Sequence, residues 1–294
     1  MHYIVGYTDT PSGRDALALA ARLALPNDAI VEVVMVLDRE ERNQLVPPSP
    51  GYNRHLHQLA EGWLAEAAAS LPAEVRSATH VIYADSFAEG LTLAAEELSA
   101  SLIIVGAGGG GILGRFTVGS VANALLHSSV IPVALAPSGT GDLPMTTRLS
   151  RVTCAVGLRP GADRLLEAAV ILSRAAQVPL RLLSVVALDS PGGTEDTEAR
   201  ERASAHAAQV QERSRALLPE DIAVHAEVVH GKRIEDAVLT VDWDPAEIVL
   251  VGSSRLARPA HLFLGSTASK MLRELPVPMV VVPRDSVLTL GGRS

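Results

Sequence analysis

The chain has 294 residues, 48% of them apolar and 20% charged, which bounds it to about two soluble globular domains with a substantial core. A net charge of −8 excludes a general nucleic-acid binder, which is expected to be basic. Only 3% of residues are aromatic, so the core must be built from Ala, Val and Leu, and a single cysteine, Cys154, excludes an internal disulfide and fits a reducing, cytoplasmic setting.

The amino terminus has neither a basic start nor a long apolar core, so a signal peptide is not expected. No apolar run approaches the roughly 20 residues needed to span a bilayer, so no membrane partner is expected. The elements then follow in order. A short apolar run at Tyr3–Tyr7 reads as a strand, and the Ala/Leu stretch Gly13–Leu25 as a helix. Ile30–Leu37 is a second strand. A polar, Pro-containing loop with His55 and His57 leads to a helix at Leu56–Ser70. Thr79–Tyr83, helix Phe87–Ser99 and Leu102–Val105 follow, then a glycine loop, a helix at Ser120–Leu126 and a last strand at Pro132–Leu135. Two histidines make no metal site on their own, because three or four ligands are normal, and solvated loop positions are expected. Cys154 reads as a small buried apolar residue.

The same order is then written again. SLIIVGAGGGGILGRFTVGSVANALLHSSVIPVALAP aligns without a gap on AEIVLVGSSRLARPAHLFLGSTASKMLRELPVPMVVVPR, so that Gly106 matches Gly252 and Gly119-Ser120 matches Gly265-Ser266. Upstream, IVGYTDTPSGRDAL matches AVGLRPGADRLL with a few residues fewer in the loop. Residues 137–150, rich in Gly, Pro, Ser and Thr, read as a linker between domains at 1–140 and 148–285. Apolar runs alternating with helices imply parallel strands covered on both faces. The expected fold class is α/β: two tandem doubly wound domains, each a five-stranded parallel sheet flanked by helices. The closing strands VIPVALAP and VPMVVVPR are apolar edges, and pairing them inside one chain would cover both.

Ligands of such sheets bind beyond the carboxyl ends of the strands. The glycine loop leaves one of those ends and enters a helix, where free N–H groups and the helix dipole favour an anion. Ser120 is placed to cap that helix or to donate its hydroxyl to a phosphate oxygen. The loop is not a Walker A motif, because the first 231 residues contain no lysine. A plain flexible surface loop is the alternative.

Gly106-x2-Gly109-x9-Gly119-Ser120 resembles the ATP-binding branch of the universal stress protein family, and the resemblance covers nearly the whole chain as a tandem. It implies ATP or another adenine nucleotide at the strand ends, with Mg²⁺ as a candidate companion, and domain pairing through the last strand. It implies that Gly106, Gly109, Gly119 and Ser120 hold ribose and phosphates, with Gly108, Gly110 and Gly111 adding backbone contacts. It places the backbone of Val36 at adenine. The family's first strand usually ends Asp-Gly-Ser; here Thr8 stands at the aspartate position with Asp9 next. Arg115, inside the x9 segment, is a candidate phosphate counter-charge or a solvated arginine. In the second copy Arg255 replaces the second glycine and the first strand ends Gly157-Leu158-Arg159-Pro160 without a carboxylate, so a degenerate site is expected, although Arg255 and Arg258 could attract an anion.

No catalytic set is legible: no Ser/His/Asp order falls on strand ends, and at most weak ATPase activity is expected. The leading reading is a nucleotide-dependent stress-response regulator with an unidentified protein partner and the option of a homodimer. The rivals are a ligand-free interaction module and a slow ATP-hydrolysing enzyme.

Overall fold

The computed structural model describes residues 1–39, 50–107, 119–156, 162–187, 221–253 and 264–283, with Leu262 and shorter pieces between 201 and 219. The first half runs β1 (His2–Gly6), α1 (Pro11–Asn27), β2 (Ile30–Asp38), α2 (Pro50–Ser70), β3 (Ser77–Ala84), α3 (Phe87–Glu97), β4 (Leu102–Gly106), α4 (Ser120–Ser128) and β5 (Val133–Ala136). The second half repeats it as β6 (Val152–Ala155), α5 (Ala162–Ala176), β7 (Leu180–Ala187), β8 (Val224–Gly231), α6 (Ile234–Leu239), β9 (Ile248–Gly252), α7 (Ser266–Glu274) and β10 (Met279–Val282).

All ten strands form one sheet in the order β3-β2-β1-β4-β5-β10-β9-β6-β7-β8. Each half is parallel throughout, as expected for fully apolar strands such as LIIVG and IVLVG that are covered on both faces. The halves join through the antiparallel pair β5–β10, in which Ala134 faces Val280. Those two residues are counterparts in the repeat, so the join lies on a pseudo-twofold axis. Two apolar edges thereby cover each other, as the sequence implied.

One face of the sheet carries α1, α2 and α5, whose small residues let the helices sit close: Ala16, Ala20, Ala24, Ala60 and Ala67 are buried there with Tyr3, Val31 and Val33. The other face carries α3, α4, α6 and α7, with Leu91, Leu125, Leu126, Met271 and Leu272 buried against Ile103, Val105, Val249 and Val251. Cys154 is fully buried, as a small apolar residue should be. Among the described residues no helix is long and apolar enough to cross a membrane.

Several local expectations are corrected. α2 begins at Pro50, six residues before Leu56, because proline is pre-organised for a helix start. His55 and His57 are therefore helical. The His57 ring stacks on Tyr83 and its Nδ1 lies 2.9 Å from the tyrosine hydroxyl, so it is tied to the sheet margin and not solvated in a loop. The 137–150 segment is packed against the first half. It forms a short 3-10 turn at Thr140–Asp142 packed on α1. The buried Arg22 donates to the Thr140 and Leu143 carbonyls, and the Asp15 carboxylate accepts from the Gly141 N–H at 2.7 Å. Finally, the spacing from β1 to β2 is the same in both halves: Ile4 pairs with Glu32 and Thr153 with Arg181. The register makes Ala155 the counterpart of Gly6, so the second half is not shortened in that loop; its missing residues fall after β2's counterpart.

Candidate functional site

In each half the strand order reverses beside the first strand, because the chain steps outward from β1 to β2 and β3 and then returns to place β4 on the other side of β1. Sheets of this kind offer a crevice at the carboxyl ends of the strands beside such a reversal.

The loop after β1 is tightly folded. The Thr10 N–H donates to the Thr8 carbonyl at 2.7 Å, and the Thr10 hydroxyl caps α1 by accepting from Gly13 N–H at 3.2 Å. A side chain at Gly13 would collide with the Thr8 carbonyl oxygen, so only glycine lets the helix start this close. Thr8 and Asp9 are exposed; the Thr8 and Thr10 hydroxyls lie 3.0 Å apart, and Asp9 pairs with Arg14 at 3.3 Å. No acidic residue occupies the first turn of α1. Beneath the loop Tyr7 is buried, and burial followed by the Asp9 charge pushes its phenol up, with Arg14 pulling the other way.

Gly106 closes β4 directly against α1. A Cβ there would strike the Ser12 carbonyl and hydroxyl, and Ser12 Oγ donates to the Ala107 carbonyl at 2.7 Å. Ser12 was not legible as a site residue: its partner lies 95 positions away, and the only local signal is its place in the first turn of α1 beside the crevice.

Val36 lies on β2, beyond the last residue of β1. Tyr7 N–H donates to the Val34 carbonyl, so the even residues of β2 turn their N–H and C=O toward β1. The same alternation turns the Val36 backbone toward the space where β1 stops. The Val36 side chain is taken up by packing on Gly90 of α3, where even a Cβ would come within 2.6 Å. Its backbone is the part left to meet a ligand.

α4 starts at the far end of the glycine loop. Gly119 is its N-cap, with φ −60° and ψ 160° and no side-chain cap hydrogen bond. Ser120 is therefore the first helical residue and not the cap, and it is exposed. A glycine cap itself brings no side-chain oxygen to the first N–H groups, and such a helix start suits an anion. Gly108, Gly109, Gly110, Gly111 and Arg115 lie outside the described residues.

The structure thus brings Thr8, Ser12 and Gly106 to one wall and turns the Val36 backbone toward the same strand ends, with α4 starting at Gly119-Ser120. Among the described residues no group of three His, Cys, Asp or Glu side chains could hold a metal ion.

The second half keeps the frame. Gly265 caps α7 with φ −68° and ψ 162°, again without a side-chain bond, and Ser266 is exposed. Among the described residues, a Cβ on Gly252 would meet Leu165 Cδ2 at 3.7 Å. Gly157, Leu158, Arg159, Pro160, Arg255 and Arg258 lie outside the described residues.

A tandem of doubly wound halves, each with a glycine-capped helix after its fourth strand, defines a class of α/β repeat proteins. The Usp model, described as the universal stress protein family, matches residues 1–137 and 149–283. The chain belongs to the universal stress protein family. It is 29% identical to universal stress protein Rv2319c of Mycobacterium tuberculosis, over 96% of this chain and 100% of that protein. Mycobacterium bovis has a relative at the same identity and coverage. Among solved structures, a universal stress protein from Archaeoglobus fulgidus superposes with a TM-score of 0.67 at 20% identity, covering 96% of this chain and 98% of its own. A functionally unknown protein from Pseudomonas aeruginosa follows the same fold with a TM-score of 0.54 at 15% identity, covering 98% of this chain and 94% of its own.

Proposed function

We propose that the first half binds ATP or another adenine nucleotide in the crevice at the ends of β1 and β4, and that binding orders the glycine loop and adjusts association with a protein partner. The observation that carries this reading is the start of α4, where the cap is a glycine that makes no side-chain hydrogen bond and Ser120 stands exposed beside it. Phosphates would lie on that helix start and on the backbone from Gly106 through Gly108, Gly109, Gly110 and Gly111 to Gly119. The turned-out backbone of Val36 offers one donor and one acceptor to an adenine edge. Thr8 offers a neutral hydroxyl in place of a carboxylate, and Asp9 is engaged with Arg14. Affinity for ribose on that side would then be modest, and Mg²⁺ would be held through the phosphates more than through protein carboxylates.

No catalytic set is legible in the sequence, so the reading is a regulator and not a metabolic enzyme, with a cytoplasmic location in keeping with the lone thiol and the net charge of −8. Isothermal titration of the full chain with ATP tests it. Binding below millimolar concentration, weakened by Ser120→Ala, is the expected result. Absence of binding by ATP, ADP and AMP, together with no nucleotide released on denaturing fresh protein, would leave a ligand-free interaction module.

A further inference from the structure

We propose that β3, the free margin of the first half, is a homodimer surface on which a second copy of the chain pairs β3 against β3 in antiparallel register centred on His80. Among the described residues β3 is the end strand of the sheet and has a neighbour on one side only. Its ladder to β2 fixes which groups point outward. Val31 N–H donates to the Arg76 carbonyl, and Val31 pairs with Ser77, so the even residues of β3 serve β2. The N–H and C=O groups of Ser77, Thr79, Val81 and Tyr83 therefore face away from the sheet.

That outward set is symmetric about His80. A second copy related by a twofold axis at His80 places Thr79 opposite Val81 and Ser77 opposite Tyr83, each as a hydrogen-bonded pair. Every outward group then has a partner. Arg39, which reaches the Tyr83 carbonyl at 3.2 Å, is exposed and flexible enough to share it. The ends are complementary as well. Arg76 at the start of one strand comes beside Asp85 at the end of the other, twice across the axis; Arg76 now spends its charge on the exposed Asp28.

The strand also lacks the devices that keep edges apart. SATHVIYA has no lysine, no proline and no carboxylate. Four of the seven exposed large hydrophobic residues among those described, Tyr52, Leu59, Trp63 and Tyr83, lie on α2 and β3. In a chain with two Trp, four Tyr and three Phe, that places three aromatic residues in water at one margin. The opposite margin differs. On β8 the counterpart of His80 is Glu227, so the same symmetric pairing would set two glutamates face to face. The first half's margin is the one suited to a second copy.

Sedimentation equilibrium of the full chain, from micromolar to near-millimolar concentration, tests this. The expected mass rises from 30.9 kDa to twice that value and no further. Thr79→Pro removes an outward N–H that β2 does not use, and Tyr83→Lys sets a charge on the contact; each should weaken the dimer at least about tenfold while circular dichroism and Tm report an intact fold. If Thr79→Pro does not fold, Tyr83→Lys decides. A monomer at every concentration, a dimer unchanged in the folded variants, or growth beyond a dimer would each overturn the proposal.

Discussion

Gly106 is held against the Ser12 main chain. Gly106→Ala should therefore destabilise the fold by about 1–3 kcal/mol, the usual cost of overpacking. Thermal denaturation of the variant beside the unaltered chain checks this, and an unchanged Tm would contradict the packing. Cys154 makes a second residue-scale test. Burial pushes its thiol up to about 12, so a thiol reagent should leave the native chain untouched and react only after denaturation. At this scale the repeat made Gly106, Gly119 and Ser120 legible, because their spacing recurs 146 positions on. Ser12 was not legible, since a hydroxyl bonded to a distant carbonyl leaves no local trace. The helix start at Ser120 was legible, and of the two roles open to that serine the cap is taken by Gly119.

At the scale of elements, the strands β2 and β7 read as apolar runs, yet each buries a charge at the same register. On β2 it is Glu32, whose two carboxylate oxygens meet His2 at 2.6 Å and His80 at 2.7 Å. On β7 it is Arg181, which meets Glu247 at 2.5 Å and Glu227 at 3.0 Å and lies 4.7 Å from the centre of the Trp243 ring. Thr153 Oγ1 accepts from Arg181 and also contacts Glu247. The two halves thus use opposite signs at equivalent places, at the amino-terminal end of the sheet and away from the crevice. Sequence patterning cannot show this, because the partners lie far away in the chain, on β1 and β3 for Glu32 and on β6, β8 and the segment before β9 for Arg181. Burial pushes the Glu32 carboxyl up, but the hydrogen bonds from His80 and His2 outweigh it and hold the group below its ordinary value. A carboxyl depressed in the folded state stabilises above its unfolded pKa and loses that contribution as pH falls through the folded value. Glu32→Gln should therefore cost roughly 1–3 kcal/mol at neutral pH. The gap to the unaltered chain should shrink as pH falls below about 4.5. Urea titrations at neutral and acid pH check the sign; a gap that widens in acid would refute it.

The whole molecule is a sheet continued through its own repeat. The element order and the β5–β10 join were legible because apolar edges need covering and both closing strands lack charge within their paired cores. What was not legible is how firmly the halves are tied elsewhere. Leu262, at the end of the second copy's motif segment, is buried in the same cluster as Leu125 and Leu126 of α4, and its N–H donates to the Ser129 carbonyl at 2.8 Å. The segment between the halves is fixed to α1 through Arg22 and Asp15. If residues 1–147 are expressed alone, the Thr140–Asp142 turn still has its α1 partners, but β5 loses β10 and presents VALA as an open edge. The pseudo-twofold pairing of Ala134 with Val280 then has a true twofold substitute, Ala134 of one copy against Ala134 of another. The isolated half should form a dimer through β5, and Leu135→Pro should return it to monomer by deleting an N–H that faces the partner strand and that β4 does not use. Light scattering on the fragment distinguishes the outcomes. A stable monomer would mean that α4 and the β5 edge are covered by the half itself, and that the second half contributes something other than an edge to the first.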